Sequence, residues 1–507
     1  MKTNLLIVHL LAHAFFNSLF AQSPGSLDVD FGTSGFETYD VNGLDDRAEN
    51  LTLLQDGNIL CSGKTQVGLF SFDMLAVNVL STGVLESSFG QDGFIIKELV
   101  STNDGISDFF ELEDGEVLAV GFTTVTDNSD YALLLYDSDG NEQQTFGTNG
   151  LLTVDIGGIS NVPGSSSFTS ASNLLIVGNM GDSICLSKMN GYTEIDISFG
   201  ESGHVFHDLT PNEDFAADLQ LLADGSMVVA GYTGSGALSD GFISMFHADG
   251  SVKNSFGNAG FLNLSLSSSY DIAVSSRVLP DNRILVIGSA WDNTSTSEFF
   301  ALRLMPDGSY DNSFGTNGIV RYDIGSGDDY ASALVLQPDG KAIIGGTANN
   351  GNDNNFCLIR INEDGSLDPT FGNNGIVITE VSPDNDGIAD MELQADGKLV
   401  VAGTARVGTN DDIAIARYHT GINTSVAEIG AESKLSVFPN PAVNQLTVTS
   451  EKTLNNVELL DALGRTVLTQ TSNANRFQLD LSQIPSGIYL LRATDGERMF
   501  TQKVVKE

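Results

Sequence analysis

The chain is 507 residues long and sets 66 Asp and Glu against 23 Lys and Arg, a formal net charge of -43. That imbalance argues against nucleic acid and anionic membrane surfaces as partners, because both are held through basic patches. Past the opening apolar stretch, no segment has the unbroken apolar length of a membrane span, so no transmembrane segment is expected.

In chain order, the first element is Lys2 followed by LLIVHLLAHAFFNSLF and Ala21, which reads as a secretory signal peptide over 1–21, cut before Gln22. Next comes a lone strand at 36–40, FETYD. From there a run of the form Phe-Gly-x-x-Gly sets the rhythm. Its phenylalanines are Phe31, Phe89, Phe146, Phe199, Phe256, Phe314 and Phe371, spaced 58, 57, 53, 57, 58 and 57 residues apart. A period of this length is one supersecondary unit repeated, since a single unit cannot close a core alone.

Each unit has the same internal register. A turn Asp lies 25 residues after the phenylalanine in six units, as at Asp56, Asp224 and Asp396; unit three has Ala171-Ser172 instead. Seven residues later every unit has a glycine, Gly63, Gly121, Gly178, Gly231, Gly288, Gly346 and Gly403, with apolar runs such as EVLAV and KLVVA between. Asp-Gly between β-rich runs marks a hairpin. A third strand (YALLLY, FCLIRI, IAIARY) and a fourth (GFIIKEL, GIVRYDI) complete the unit. Helical periodicity is nowhere sustained.

Seven four-stranded units predict an all-β chain built on a seven-bladed β-propeller over 22–419. The phenylalanines are read as wedges between blades. The last unit stops at its third strand near Arg417, so the strand at 36–40 is expected to complete the seventh blade and remove two open edges. Cys61, Cys185 and Cys357 sit in apolar strand runs and read as buried free thiols.

After a linker at 420–433 the composition shifts and basic residues become frequent. The segments LSVFPNPAVNQLTVTS, NNVELLDALGRTVLTQ, NRFQLDLSQIPSGIYLLRATDG and ERMFTQKVVKE alternate apolar strands with turns, predicting a small Ig-like β-sandwich over 434–507.

This tail, with its VFPNP opening, LLDALGRTV, LSQIPSGIYLLRA and basic KVVKE end, resembles the C-terminal sorting domain of the type IX secretion system of Bacteroidota. The resemblance implies the type IX secretion machinery as a partner and a secreted or outer cell-surface destination after signal-peptide export. The units resemble the delta-60 β-propeller repeat, matched by LQPDGKAIIGG at 336–346, LQADGKLVVAG at 393–403 and DGSLDPTFGNNG at 364–375. No catalytic residues belong to that family, and none are carried over.

Fifteen residues after each repeat phenylalanine stands an Asp or Asn: Asp46, Asp104, Asn161, Asp214, Asp271, Asp329 and Asp386. One carboxylate or amide per blade could form a ring of oxygen ligands for Ca²⁺ or for a cationic or sugar ligand. A feature present in every unit is more economically a fold requirement, each side chain bonding its own loop as Asx residues do in turns. The cluster Asp384, Asp386 and Asp390 resembles part of a calcium loop without its downstream bidentate Glu, and gives at most weak Ca²⁺ binding. No other cofactor is expected, and HExxH, G-x-S-x-G, P-loop and CxxC motifs are absent from the sequence.

The reading that follows is a monomeric, non-enzymatic binding propeller with an extracellular glycan or protein as ligand. The alternative is a secreted carbohydrate-active hydrolase or lyase built on the same ring.

Overall fold

The structure is a computed structural model that describes residues 23–422 and 436–506, apart from 69–70, 100–103, 126–127, 158–159, 235–238, 292–295, 439, 461–465, 483, 486 and 495–498. The expected signal peptide and most of the expected linker lie outside the described residues. The chain divides into two compact units, one ending at Ile422 and the other beginning at Asn423.

Among the described residues the first unit is all β and forms seven antiparallel sheets. Blade 1 has the strands Asp46–Leu53, Ile59–Gly68, Ser71–Val79 and Phe94–Lys97, paired in chain order. The following blades repeat this order, and blade 3 gains a two-residue strand, Glu194–Ile195. The first strands of the blades are Asp46–Leu53, Asp104–Glu111, Asn161–Phe168, Asp214–Leu221, Tyr270–Val278, Tyr330–Leu336 and Asp386–Leu393. They pack against one another in a closed cycle, so they are the innermost strands of a ring.

The ring closes on its own N-terminus. Phe36–Tyr39 pairs with Asn410–His419 in the register Phe36↔Ala416 to Tyr39↔Ile413 and becomes the fourth strand of blade 7.

Buried apolar side chains fall into one cluster at each blade junction, and each cluster contains one repeat phenylalanine. Phe31, fully buried, sits with Leu51 and Val77 of blade 1 and Val400 and Ile415 of blade 7. In blades 5, 6 and 7 an arginine from the third strand caps the wedge. Arg303, Arg360 and Arg417 lie 4.9, 4.6 and 4.9 Å from the ring centres of Phe314, Phe371 and Phe31. Their Nε atoms pair with Asp311, Asp368 and Asp28 at 2.7, 2.8 and 2.8 Å. Each also donates through Nη1 to a backbone carbonyl of another blade's turn, that of Glu363, Thr420 or Ser81. Burial acts against the Asp311 carboxylate, but hydrogen bonds from Ser313, Arg283 and Arg303 hold its pKa well below the usual range.

The repeat glycine of the second strand answers a steric demand. Every innermost strand has a bulge, as between Ala48 and Asn50 or between Ile388 and Asp390. A Cβ on Gly63 would lie 1.8 Å from the carbonyl oxygen of Arg47 beside that bulge. Unit three keeps its hairpin without Asp-Gly, because Ser172 itself takes φ +58°. Cys61, Cys185 and Cys357 are buried free thiols.

The second unit differs from the expected two-sheet sandwich. Its described strands form one five-stranded sheet dominated by two long strands, Gln445–Leu460 and Thr466–Asp480. Register shifts between Thr449 and Leu454 break their pairing mid-strand. The first half of Gln445–Leu460 pairs with Ser436–Phe438 and the second half with Gly487–Thr494. The two long strands run through both halves, so the halves stay in one sheet over a core that includes Leu446, Val457, Leu479 and Leu491.

Candidate functional site

The seven Asx residues open the innermost strands and are buried, at 0–2% exposure. Each aspartate carboxylate accepts from the backbone N–H five residues upstream. The distances are 2.8 Å from Val41 to Asp46, 3.1 Å from Leu99 to Asp104, 2.8 Å from Leu209 to Asp214 and 2.6 Å from Leu266 to Asp271. They are 2.8 Å both from Ile324 to Asp329 and from Val381 to Asp386. The side chain thereby folds the connection between one blade's last strand and the next blade's first. Burial raises the carboxyl pKa of Asp46, Asp214, Asp271, Asp329 and Asp386 against these hydrogen bonds.

Asp384, Asp386 and Asp390 are not brought together. Asp386 spends Oδ2 on the N–H groups of Val381 and Ser382 and Oδ1 on the Ser382 hydroxyl at 2.7 Å. Asp384 is exposed. Past the bulge, Asp390 turns to the ring centre, where Oδ2 accepts from Leu51 N–H of blade 1 at 3.0 Å. Among the described residues, the carboxylates whose ligand atoms lie within 4.8 Å of one another in a group of three are Asp40, Asp46 and Asp412.

Asp390 shares the ring centre with Asp108 and Asp218, four residues after their own Asx positions. Asp218 Oδ2 accepts from Ser276 N–H at 2.8 Å and Ser276 Oγ at 2.6 Å, with Arg277 3.8 Å from Oδ1. Asp108 accepts from Ser166 Oγ at 2.6 Å and Asn50 Nδ2 at 3.3 Å. These bonds join innermost strands of neighbouring blades. Burial, then the charges of Asp390 and Asp218, push the Asp108 carboxyl up to about 7. Asp108 and Asp390 are half-buried.

Blades 4 to 6 carry a feature that the repeat offsets hide. Phe215 follows Asp214, Tyr270 precedes Asp271 and Tyr330 follows Asp329, so all three sit at the blade ends that hold the Asx ring. Their strand partners extend the set. Phe215 stacks on Tyr232 with ring centres 5.1 Å apart and planes 23° apart, and Tyr270 meets Trp291 at 5.7 Å and 44°. Tyr330 is 40% exposed. Burial and a hydrogen bond with Tyr270 push its phenol up. Tyr270 Oη also lies 3.2 Å from Ser297 Oγ, whose backbone N–H is held by Asp328 at 2.8 Å. The positions matching Phe215 and Tyr232 are Gly105 and Phe122 in blade 2, Val162 and Asn179 in blade 3 and Gly387 and Thr404 in blade 7. The aromatic strip therefore breaks the sevenfold symmetry on this face. Trp291, the single tryptophan of the chain, was the available sequence signal.

Residues 436–507 match the family described as "Secretion system C-terminal sorting domain". Residues 279–314, 337–371 and 394–421 match "Domain of unknown function (DUF5122) beta-propeller". A tail of this kind marks a chain for export to the cell surface or beyond. No curated protein matches the chain.

Among solved structures the chain is similar to PorZ, an essential bacterial surface component of the type-IX secretion system of Porphyromonas gingivalis. The identity is 10% and the TM-score 0.24, over 91% of this chain and 86% of that one. It is similar to the polysaccharide lyase Uly1, at 11% identity and TM-score 0.35 over 73% and 88%. It is also similar to Sqt1 of Chaetomium thermophilum, at 10% identity and TM-score 0.42 over 80% and 94%. TM-scores this low carry no weight for ligand or activity. The chain thus joins a β-propeller bearing DUF5122 repeats to a secretion system C-terminal sorting domain.

Proposed function

We propose that this protein is a non-catalytic propeller, exported by the type IX route and retained on or released from the cell surface, that binds a neutral polysaccharide across the aromatic strip of blades 4 to 6. The observation that carries this reading is the grouping of Phe215, Tyr232, Tyr270, Trp291 and Tyr330 at one end of three successive blades. Flat, partly exposed rings offer apolar platforms for the C–H faces of sugars, and the adjacent phenols and Ser297 hydroxyl offer hydrogen bonds to sugar hydroxyls. A net charge of -43 disfavours uronic or sulfated chains, which leaves neutral glycans as the best-fitting class.

The hydrolase or lyase reading gains no support. The central carboxylates are tied to neighbouring strands and the Asx ring to its own loops. A glycan array probed with the propeller tests the assignment. Neutral glycans should be retained, and Trp291→Ala and Tyr330→Ala should each weaken retention at least tenfold. Absence of any glycan signal, or retention unchanged in both variants, would sink it.

A further inference from the structure

The Asx ring is one corner of a larger acidic pattern. Nine residues after the repeat phenylalanine stand Asp40, Glu98, Asp155, Asp208, Ser265, Asp323 and Glu380, acidic in six of seven units. Extending the strand registers by one residue sets Asp40 opposite Asp412, Glu98 opposite Asp73, Asp155 opposite Asp130 and Asp323 opposite Glu298. Each junction therefore collects residues from the third strand of one blade, the end of its fourth strand and the start of the next blade.

The convergence is tightest where the ring closes. Asp412 belongs to the third strand of blade 7, Asp40 follows the closing strand Phe36–Tyr39 and Asp46 opens blade 1; their carboxylate oxygens lie within 4.8 Å of one another. Asp46 is fully buried and Asp412 is 6% exposed. Among the described residues none of the three is in an ion pair. The nearby Arg47 and Arg406 are spent on Asp411 at 3.1 and 2.9 Å. Asp40 accepts from Gly43 N–H and Asp46 Oδ2 from Val41 N–H. The remaining oxygen of Asp46, Oδ1, is buried beside the Thr65 hydroxyl and accepts no hydrogen bond of good geometry. Asp40 is exposed, but Asp46 and Asp412 are dry, and like charges this close call for a counter-ion.

We propose that Asp40, Asp46 and Asp412 bind a calcium ion that clips the closing strand to blade 1. The donor set is all hard oxygen with no imidazole or thiolate, which fits a group 2 cation and not zinc. Three carboxylates leave room for water to complete six to eight ligands, so affinity belongs to the extracellular class, with Kd about 10⁻⁴–10⁻³ M. The site joins residues from the two ends of the propeller, so binding stabilises the closed ring by mass action.

Calorimetric titration of CaCl₂ into the full chain, with thermal melts in EDTA and in CaCl₂, tests this. The unaltered chain should show saturable binding and a melting point several degrees higher in calcium. Asp412→Asn should abolish both, and Asp40→Asn should weaken binding at least tenfold. In EDTA, Asp412→Asn should melt no lower than the unaltered chain, because it relieves repulsion. Asp130→Asn in blade 2 should bind as the unaltered chain does. No binding heat, calcium binding that survives Asp412→Asn, or a lower melting point for that variant in EDTA would overturn the proposal.

Discussion

Removing the closing strand tests how the ring is held. A chain beginning at Asn42 loses Phe31 and Tyr39, which are 0% and 5% exposed, together with Asp28 and the strand Phe36–Tyr39. Two buried aromatics at about 150–250 Å² each and ~25 cal/mol per Å² give roughly 4–6 kcal/mol apiece. A compact unfolded state lowers that by about 10–40%. Arg417 also loses its Asp28 partner and its Phe31 ring, but the truncation opens it to water, so no buried-charge penalty is added. The total is roughly 5–11 kcal/mol, comparable to the whole stability of an ordinary domain. The exposed edge of Asn410–His419 then invites pairing with a second chain. Urea denaturation followed by circular dichroism, with light scattering on a sizing column, should show a much lower midpoint and a shift from monomer to dimer or aggregate. Asp28→Asn alone should lower the midpoint by the equivalent of about 3 kcal/mol. A truncated chain that stays monomeric with an unchanged midpoint would refute the closure energetics.

Three further outcomes follow from the geometry. Asp108 keeps its proton in the folded state up to about pH 7 but loses it near pH 4 when unfolded, so its contribution to stability falls as pH rises through that window and is level above it. Asp108→Asn should therefore be close to neutral near pH 4 and stabilising by about 1–3 kcal/mol at pH 8, discounted for partial exposure; equal effects at both pH values would contradict this. Gly403→Ala places a Cβ 2.1 Å from the carbonyl oxygen of Gly387, and should cost about 2–4 kcal/mol in thermal denaturation, whereas Gly57→Ala, with open space around it, should cost only its φ of +90°. Deleting 434–507 should leave a folded propeller inside the outer membrane, and normal recovery outside the cell would argue against a sorting role for the tail.

The repeat period, the strand order and the closing strand were legible because each rests on residues with one narrow use. The positive φ of Phe-Gly-x-x-Gly and the bulge beside Gly63 admit few alternatives, and the lone strand at 36–40 had only one open edge to fill. The Arg303–Asp311–Phe314 clamp was hidden because its arginine reads as one more residue of an apolar strand and its partner lies eight positions on. Simple alternation places Asp108 on the same side of its strand as Ile106. The bulge between them reverses that parity and delivers the carboxylate to the ring centre. The same reversal separates Asp390 from Asp386, which is why the apparent calcium loop does not assemble. Asp40 and Asp412 stand far apart in sequence, and only the closed ring makes them neighbours. In the tail the strands were legible, but not that two of them run long enough to join its halves into one sheet.

The most direct test of a glycan-binding propeller is affinity electrophoresis of the propeller through gels containing neutral polysaccharides, run beside Trp291→Ala and the ring variant Asn161→Asp. Retardation of the unaltered propeller and of Asn161→Asp, with Trp291→Ala moving as in a gel without polysaccharide, is the predicted result. Equal mobility of all three proteins in every neutral polysaccharide, or retardation that persists in Trp291→Ala, would contradict it.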